Sequence, residues 1–306
     1  MSSSSRWSPQ PAAHRRSAQR FTFLTERFEG IEIVGDIDTT GTRHGANTMA
    51  FADADGDGDL DLFWGDFFER GVLWIENRSI ACATPALRTE PVQVPGVDSI
   101  FTSGFNVPAL VDIDADGDLD FFMGVLGGAY NPIRTSADNF YFWERLDQDR
   151  FALRTRPFLS GIDVGSESAP AFADIDGDGD LDLFVGEASG EINFLRNDGT
   201  AAVPRFVLVT DKVGDIDVGR RSAPTLIDLD GDGLLDLVVG REDAGVSAFR
   251  NTGTGAEPRF TPIADFTLPL PPFAAPAFAD LDGDGRIDLI AGGLGGGLIF
   301  LHNTGR

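Results

Sequence analysis

Short apolar runs closed by glycine recur along the chain: Leu62-Phe63-Trp64-Gly65, Phe121-Phe122-Met123-Gly124, Leu183-Phe184-Val185-Gly186, Leu237-Val238-Val239-Gly240 and Leu289-Ile290-Ala291-Gly292. They are too short for helices and rich in Phe and Val, which predicts strands. Their side chains are apolar at consecutive positions, as expected of a strand covered on both faces. A second apolar run precedes each, as at Ala171-Phe172-Ala173. A third strand is predicted at 72–76, 140–144, 192–196, 246–250 and 298–302, most often ending in a turn such as Asn197-Asp198-Gly199 or Asn251-Thr252-Gly253. Arg205-Phe206, Arg259-Phe260 and Arg150-Phe151 open a fourth.

Between the first and second runs stands one acidic motif, D-x-D-x-D-G-x-x-D, written five times. Its copies contain Asp53, Asp55, Asp57, Asp59 and Asp61; Asp112, Asp114, Asp116, Asp118 and Asp120; Asp174, Asp176, Asp178, Asp180 and Asp182; Asp228, Asp230, Asp232, Leu234 and Asp236; and Asp280, Asp282, Asp284, Arg286 and Asp288. Two carboxylates about 4 Å apart repel by about 4 kcal/mol at an effective dielectric near 20. A hard divalent cation removes that penalty, and Ca²⁺ takes six to eight oxygens from a tightly coiled chain. Glycine at position six supplies the backbone freedom such coiling needs. A hairpin turn would need one Asp-Gly, not further carboxylates at fixed offsets. The EF-hand shares the opening but needs a Glu at position twelve; here that position is Trp64, Met123, Val185, Val239 or Ala291. Positions one, three, five and nine are therefore expected to supply side-chain ligands. Position seven, which tolerates Leu234 and Arg286, is expected to supply its backbone carbonyl, with about one Ca²⁺ per repeat.

Motif starts lie 59, 62, 54 and 52 residues apart, room for one four-stranded unit each. Four-stranded units at this period predict an all-β fold, a five-bladed β-propeller. The fifth unit has only three strands, and the segment from Arg20 to Leu24 reads as its missing fourth. Pairing the two would close the ring and cover two sheet edges. Residues 1–20 are polar and basic and read as a disordered tail, leaving 21–306 for the propeller.

These loops, with Ala-Pro before them (Ala169-Pro170, Ala223-Pro224) and Asn-Thr-Gly after them (Asn251-Thr252-Gly253, Asn303-Thr304-Gly305), resemble FG-GAP/VCBS repeats. Such calcium-loop blades are found in integrin α-subunit propellers and many bacterial surface proteins. The resemblance implies calcium binding together with adhesion or ligand recognition. Two positions depart from it: Met49 replaces the proline of the first repeat, and Arg145 replaces the turn asparagine of the second.

The net charge is −25, and five bound Ca²⁺ would bring it to −15. So acidic a surface argues against nucleic acid or anionic membrane as partners, and no apolar stretch is long enough for a membrane span. Loops with Kd on the order of 10⁻⁴ M suit calcium-rich surroundings. There, about 1 mM Ca²⁺ would stabilise the fold by about 1.4 kcal/mol per site. An extracellular or cell-surface location is therefore expected, although the first twenty residues lack the apolar core of a secretory signal. Cys82 is the sole cysteine, so the chain holds no internal disulfide, and a small semi-buried role is expected for it.

Calcium loops on one propeller face leave the opposite face for a protein or carbohydrate ligand. The insertion at 126–139, with Tyr130, Asn131 and Arg134, and the segments 66–70 and 101–106 are the candidates. The alternative is a carbohydrate-active lyase or dehydratase. Of the three histidines, His14 lies in the tail and His302 in a third strand, leaving His44 as the candidate acid/base. No nucleophile elbow, HExxH or phosphate loop accompanies it.

Overall fold

The computed structural model describes residues 48–65, 71–78, 92–94, 102, 104–127, 140–147, 150–243, 245–264, 266, 268, 270–293, 298–301 and 303. Blade one comprises β1 (Thr48–Ala52), β2 (Asp61–Gly65), β3 (Leu73–Ile75) and β4 (Val92–Gln93). Blade two comprises β5 (Val107–Val111), β6 (Asp120–Gly124), β7 (Phe140–Asp147) and β8 (Arg150–Thr155). Blade three is β9 (Ala169–Ala173), β10 (Asp182–Gly186), β11 (Ile192–Asn197) and β12 (Phe206–Thr210). Blade four is β13 (Ala223–Ile227), β14 (Asp236–Gly240), β15 (Val246–Asn251) and β16 (Phe260–Pro262). Blade five contributes β17 (Ala275–Ala279), β18 (Asp288–Gly292) and β19 (Leu298–Leu301). Each sheet is an antiparallel meander in sequence order, four of them four-stranded and the fifth three-stranded among the described residues. The expected closing strand from Arg20 to Leu24 lies outside them, as do Cys82, His14, His44 and His302.

The five sheets form a five-bladed propeller. Their first strands pack in a ring, β1 against β5, β5 against β9, β9 against β13, β13 against β17 and β17 back against β1. An apolar core fills each gap between neighbouring blades. The gap between blades five and one is filled by Met49, Leu62, Trp64 and Ile75 against Leu281, Ile290 and Phe300. Between blades two and three, Phe122 is fully buried among Phe140, Phe142, Phe158 and Phe172, with ring centroids 4.7–5.7 Å away. Each such side chain contributes about 1.5–3 kcal/mol by leaving water. Every residue of β2, β6, β10, β14 and β18 is buried, because these strands are covered on both faces by neighbouring blades.

The first hairpin of each blade has one register throughout. The closing glycine pairs with the first residue of the first strand, as Gly186 with Ala169, and motif position nine pairs with the last, as Asp182 with Ala173. Met49 pairs with Trp64 as Pro170 pairs with Val185, so the missing proline of blade one leaves the register intact. The strand-closing glycines mark the seams between blades. A Cβ on Gly65, Gly124, Gly186 or Gly240 would stand 1.9–2.2 Å from the carbonyl oxygen of Asn106, Ser168, Ser222 or Ala274 in the segment leading to the next blade.

Candidate metal centres

Each acidic motif forms the hairpin loop between the first and second strands of its blade, so all five loops lie at the same end of the first strands. Position one is the hub. In blade three, Asp174 Oδ1 accepts the amides of Gly177 and Asp178, and Oδ2 accepts that of Gly179 at 3.1 Å. The same bonds to the position-six amide come from Asp53, Asp112, Asp228 and Asp280. Position five then caps the position-seven amide: Asp57 to Asp59, Asp116 to Asp118, Asp178 to Asp180, Asp232 to Leu234 and Asp284 to Arg286. Each loop thus winds around its own carboxylates through bonds that need no ion.

Position six has φ between +82° and +98° in all five loops, at Gly58, Gly117, Gly179, Gly233 and Gly285, as expected from the motif. Position four also takes positive φ, which the motif does not announce: Gly56, Gly177, Gly231 and Gly283 in four loops, and Ala115 at +57° in the second.

The carboxylate oxygens converge in every loop. Asp53, Asp55 and Asp57, then Asp112, Asp114 and Asp116, then Asp174, Asp176 and Asp178 each bring ligand atoms within 4.8 Å of one another. In blades four and five the converging sets are Asp228, Asp230 and Asp236, and Asp280, Asp282 and Asp288. Positions one and three thus take part everywhere, with position five joining in three blades and position nine in two. Position-seven side chains (Asp59, Asp118, Asp180, Leu234, Arg286) belong to none of these sets.

Position nine has a further duty that the sequence did not disclose. Asp61, Asp120, Asp182, Asp236 and Asp288 are at most 1% exposed. Their Oδ1 atoms accept the backbone amide at the end of the third strand, from Asn77, Arg145, Asn197, Asn251 and Asn303, at 2.7–2.9 Å. Arg145 therefore occupies the place of the turn asparagine. Burial pushes the Asp61 carboxyl up to about 6, and those of Asp120 and Asp182 up to about 7, against the pull of those amides. Asp118 is raised to about 6, first by burial and then by the neighbouring Asp116. Asp55, Asp114, Asp180 and Asp236 also move upward, with burial the leading cause in each.

The donor set fits a hard divalent cation. Asp114 Oδ1 and Asp280 Oδ1, in carboxylates of the converging sets of blades two and five, are buried without a hydrogen-bond partner. A buried carboxylate oxygen without a donor is costly unless a cation meets it.

At the opposite end of the first strands a second cluster lies on the axis. Phe105, Glu167, Arg221 and Phe273 each stand two residues before the first strand of blades two to five, and all have φ between +52° and +59°. The Arg221 guanidinium pairs with Glu167, lies 4.7 Å from the Phe273 ring centroid and reaches the Phe105 ring at 5.8 Å. Of the proposed ligand-face residues, 128–139 and 66–70 lie outside the described ones, as do Phe101 and Ser103.

This architecture defines a five-bladed propeller with an acidic hairpin loop in every blade. Residues 112–185 and 228–291 match the FG-GAP-like repeat family, so these stretches carry FG-GAP-like repeats, in keeping with the resemblance seen in the sequence. No curated protein matches the chain significantly. A solved structure of an Agrocybe aegerita lectin, described as specifically recognising non-reducing terminal N-acetylglucosamine, is similar at 20% identity and a TM-score of 0.38. The likeness covers 85% of this chain and 64% of that one, so this chain spans less than two thirds of the lectin's length. So low a score carries neither fold nor ligand across.

Proposed function

We propose that this protein is a calcium-binding propeller that serves as an extracellular or cell-surface binding or adhesion module for a protein or carbohydrate ligand. The observation that carries the reading is the fivefold recurrence of one acidic hairpin loop whose carboxylate oxygens converge within 4.8 Å. Positions one and three hold the ion in every loop, joined by position five or nine, and the position-seven carbonyl completes the set. A bound ion would supply charge neutralisation, letting buried aspartates remain anionic at neutral pH. The chain's own contribution is a loop already wound by hydrogen bonds from position one, so little ordering remains to be done when the ion arrives.

Recognition of a ligand is assigned to the end of the propeller away from these loops. There Arg221 and Phe273, both partly exposed, place a charged group beside an aromatic ring. Such a pairing suits polar ligands with apolar faces. Export fits loops that depend on abundant calcium, and no helix among the described residues is long and apolar enough to cross a membrane.

The test is direct. Metal content and calorimetric titration of the dialysed protein should give about five Ca²⁺ per chain, one for each acidic group. Melting with 1 mM calcium should exceed melting in EDTA by several degrees. Metal-free material with the same melting temperature in both buffers would overturn the assignment.

A further inference from the structure

The outer rim of the ring is the fourth strand of each blade, and the described ones differ in how they meet solvent. Blade one's β4 has only two residues, and blade four's β16 has three, the last of them Pro262. Blade two's β8 carries Arg150 and Arg154, the latter paired with Glu144. Short length, proline and charge all keep a sheet edge from recruiting another chain. Blade three's β12 uses none of these three. It runs for five residues, Phe206-Val207-Leu208-Val209-Thr210, without charge or proline, and it ends its sheet.

Its apolar side chains also stand in water. Six large apolar side chains are exposed among the described residues, and three of them gather here: Val203 at 71%, Leu208 at 39% and Val209 at 50%. Leu208 pairs with Leu195 and Thr210 with Phe194, so Val209 is an extra residue in a bulge, and two successive apolar residues are left exposed. A bulge interrupts the backbone ladder, so this edge offers a neighbour chiefly its side chains. The flanking charges have opposite signs, Arg205 before the strand and Asp211 after it, both exposed. The Arg205 guanidinium donates to the Asp198 carbonyl at 2.8 Å, which holds it beside the strand. The neighbouring Asp198 and Lys212 side chains are engaged elsewhere, with Arg196 at 2.6 Å and Glu191 at 2.8 Å.

We propose that this edge is a self-association surface, on which a second copy of the chain packs antiparallel to the first with Leu208 at the centre. The segment from Arg205 to Asp211 is its own antiparallel complement. In that arrangement Leu208 meets its counterpart, Val207 lies opposite Val209, and Arg205 of each copy faces Asp211 of the other. Apolar surface is covered at the centre and opposite charges pair at both ends. Two chains of net charge −25 repel at long range, but at about 0.15 M salt that repulsion is screened beyond about 8 Å. Three exposed apolar side chains per copy cover less than the roughly 800 Å² per partner of a standard interface. The dimer is accordingly weak, with Kd on the order of 10⁻⁴ M. Joining two propellers would double the recognition ends in one particle, raising avidity without any new ligand contact.

The experiment is sedimentation velocity of the intact chain from about 10 µM to about 1 mM, a range that brackets the expected Kd. The sedimentation coefficient should rise with concentration and fit a monomer–dimer equilibrium. Leu208→Asp, at an exposed side chain, should weaken association at least about tenfold while leaving the melting temperature unchanged. Arg205→Asp and Asp211→Arg should each weaken it too, because like charges then face each other across the contact. The two exchanges combined should restore association to near the parent's. A chain that stays monomeric to about 1 mM would overturn the proposal, as would a Leu208→Asp variant that associates like the parent. A combined exchange no stronger than either single one would also sink it, since the antiparallel pairing requires the rescue. None of these residues belongs to an acidic loop, so the outcome is independent of the calcium reading.

Discussion

Ala115 holds a backbone conformation, φ +57°, that glycine holds in the other four loops. A non-glycine residue in the left-handed region costs of order 1 kcal/mol or more. Ala115→Gly should therefore stabilise the protein by about 0.5–1 kcal/mol, measured by denaturant unfolding in saturating calcium; a destabilised variant would refute the strain argument. The position-six glycines were legible in the sequence because the motif repeats them without exception. Position four was not, because one copy carries alanine and only backbone angles reveal the shared demand. Position nine was half legible. Its acidity pointed to the metal, whereas its bond to the end of the third strand depends on a register no motif displays. That burial has a pH consequence. In the absence of metal, Asp120 and Asp182 titrate near 7 in the folded chain against an ordinary value of 3.8. The folded state then takes up protons, so metal-free stability is greatest at low pH and is lost as pH rises through about 7. Calcium requires the anions, so its stabilising increment should shrink over the same fall in pH. Melting in EDTA should be higher near pH 5 than near pH 8, and the increment from calcium smaller. Both quantities rising together with pH would contradict the burial of these carboxyls.

At the scale of the strand and hairpin, the second strands were the most legible elements. Their consecutive apolar residues reflect coverage on both faces, and the structure buries all five completely. The fourth strand of blade one, Val92–Gln93, went unseen because two residues carry no periodicity. The third strands of blades two to four run one to three residues beyond the expected ends, since the hairpin hydrogen bonds continue through the turn residue. The closing glycines were read as strand punctuation, but their reason is spatial. At Gly240 an added Cβ would meet the Ala274 carbonyl at 1.9 Å, whereas at Gly233 it would meet nothing within 4 Å. Gly240→Ala is therefore expected to cost at least about 2 kcal/mol by forcing apart blades four and five. Gly233→Ala should cost about 1 kcal/mol from its φ of +90° alone. The two losses should also differ in kind. Calcium should recover little of the first, because the seam is remote from the loop, and paired unfolding curves with and without calcium would show this. Equal losses at the two positions would argue against the seam.

For the whole molecule, repeat period and loop chemistry announced the ring, but nothing in the sequence announced what meets on its axis. Phe105, Glu167, Arg221 and Phe273 are each separated from the next by more than fifty residues and, the two phenylalanines apart, share no residue type. Only the radial arrangement of the first strands converts equal positions in successive repeats into neighbours. Arg221 thereby touches the segments that lead into blades two, three and five while belonging to the one that leads into blade four. Its side chain is 18% exposed and that of Glu167 only 6%. Removing Arg221 strands the buried Glu167 charge, at a cost of about 3 kcal/mol or more, whereas removing Glu167 leaves the guanidinium with Glu242 at 4.0 Å. Arg221→Ala should therefore destabilise the protein strongly, and Glu167→Ala less. The double variant should lose clearly less than the sum, since the acid that Arg221→Ala strands is then gone. Denaturant unfolding of all three variants in saturating calcium measures the coupling. Strictly additive losses would mean that Arg221 acts through its two aromatic contacts instead, leaving the acid as a bystander at the hub. The strained backbone at all four positions makes the coupled outcome the expected one, because left-handed residues of such varied chemistry persist only where the surrounding ring overdetermines them.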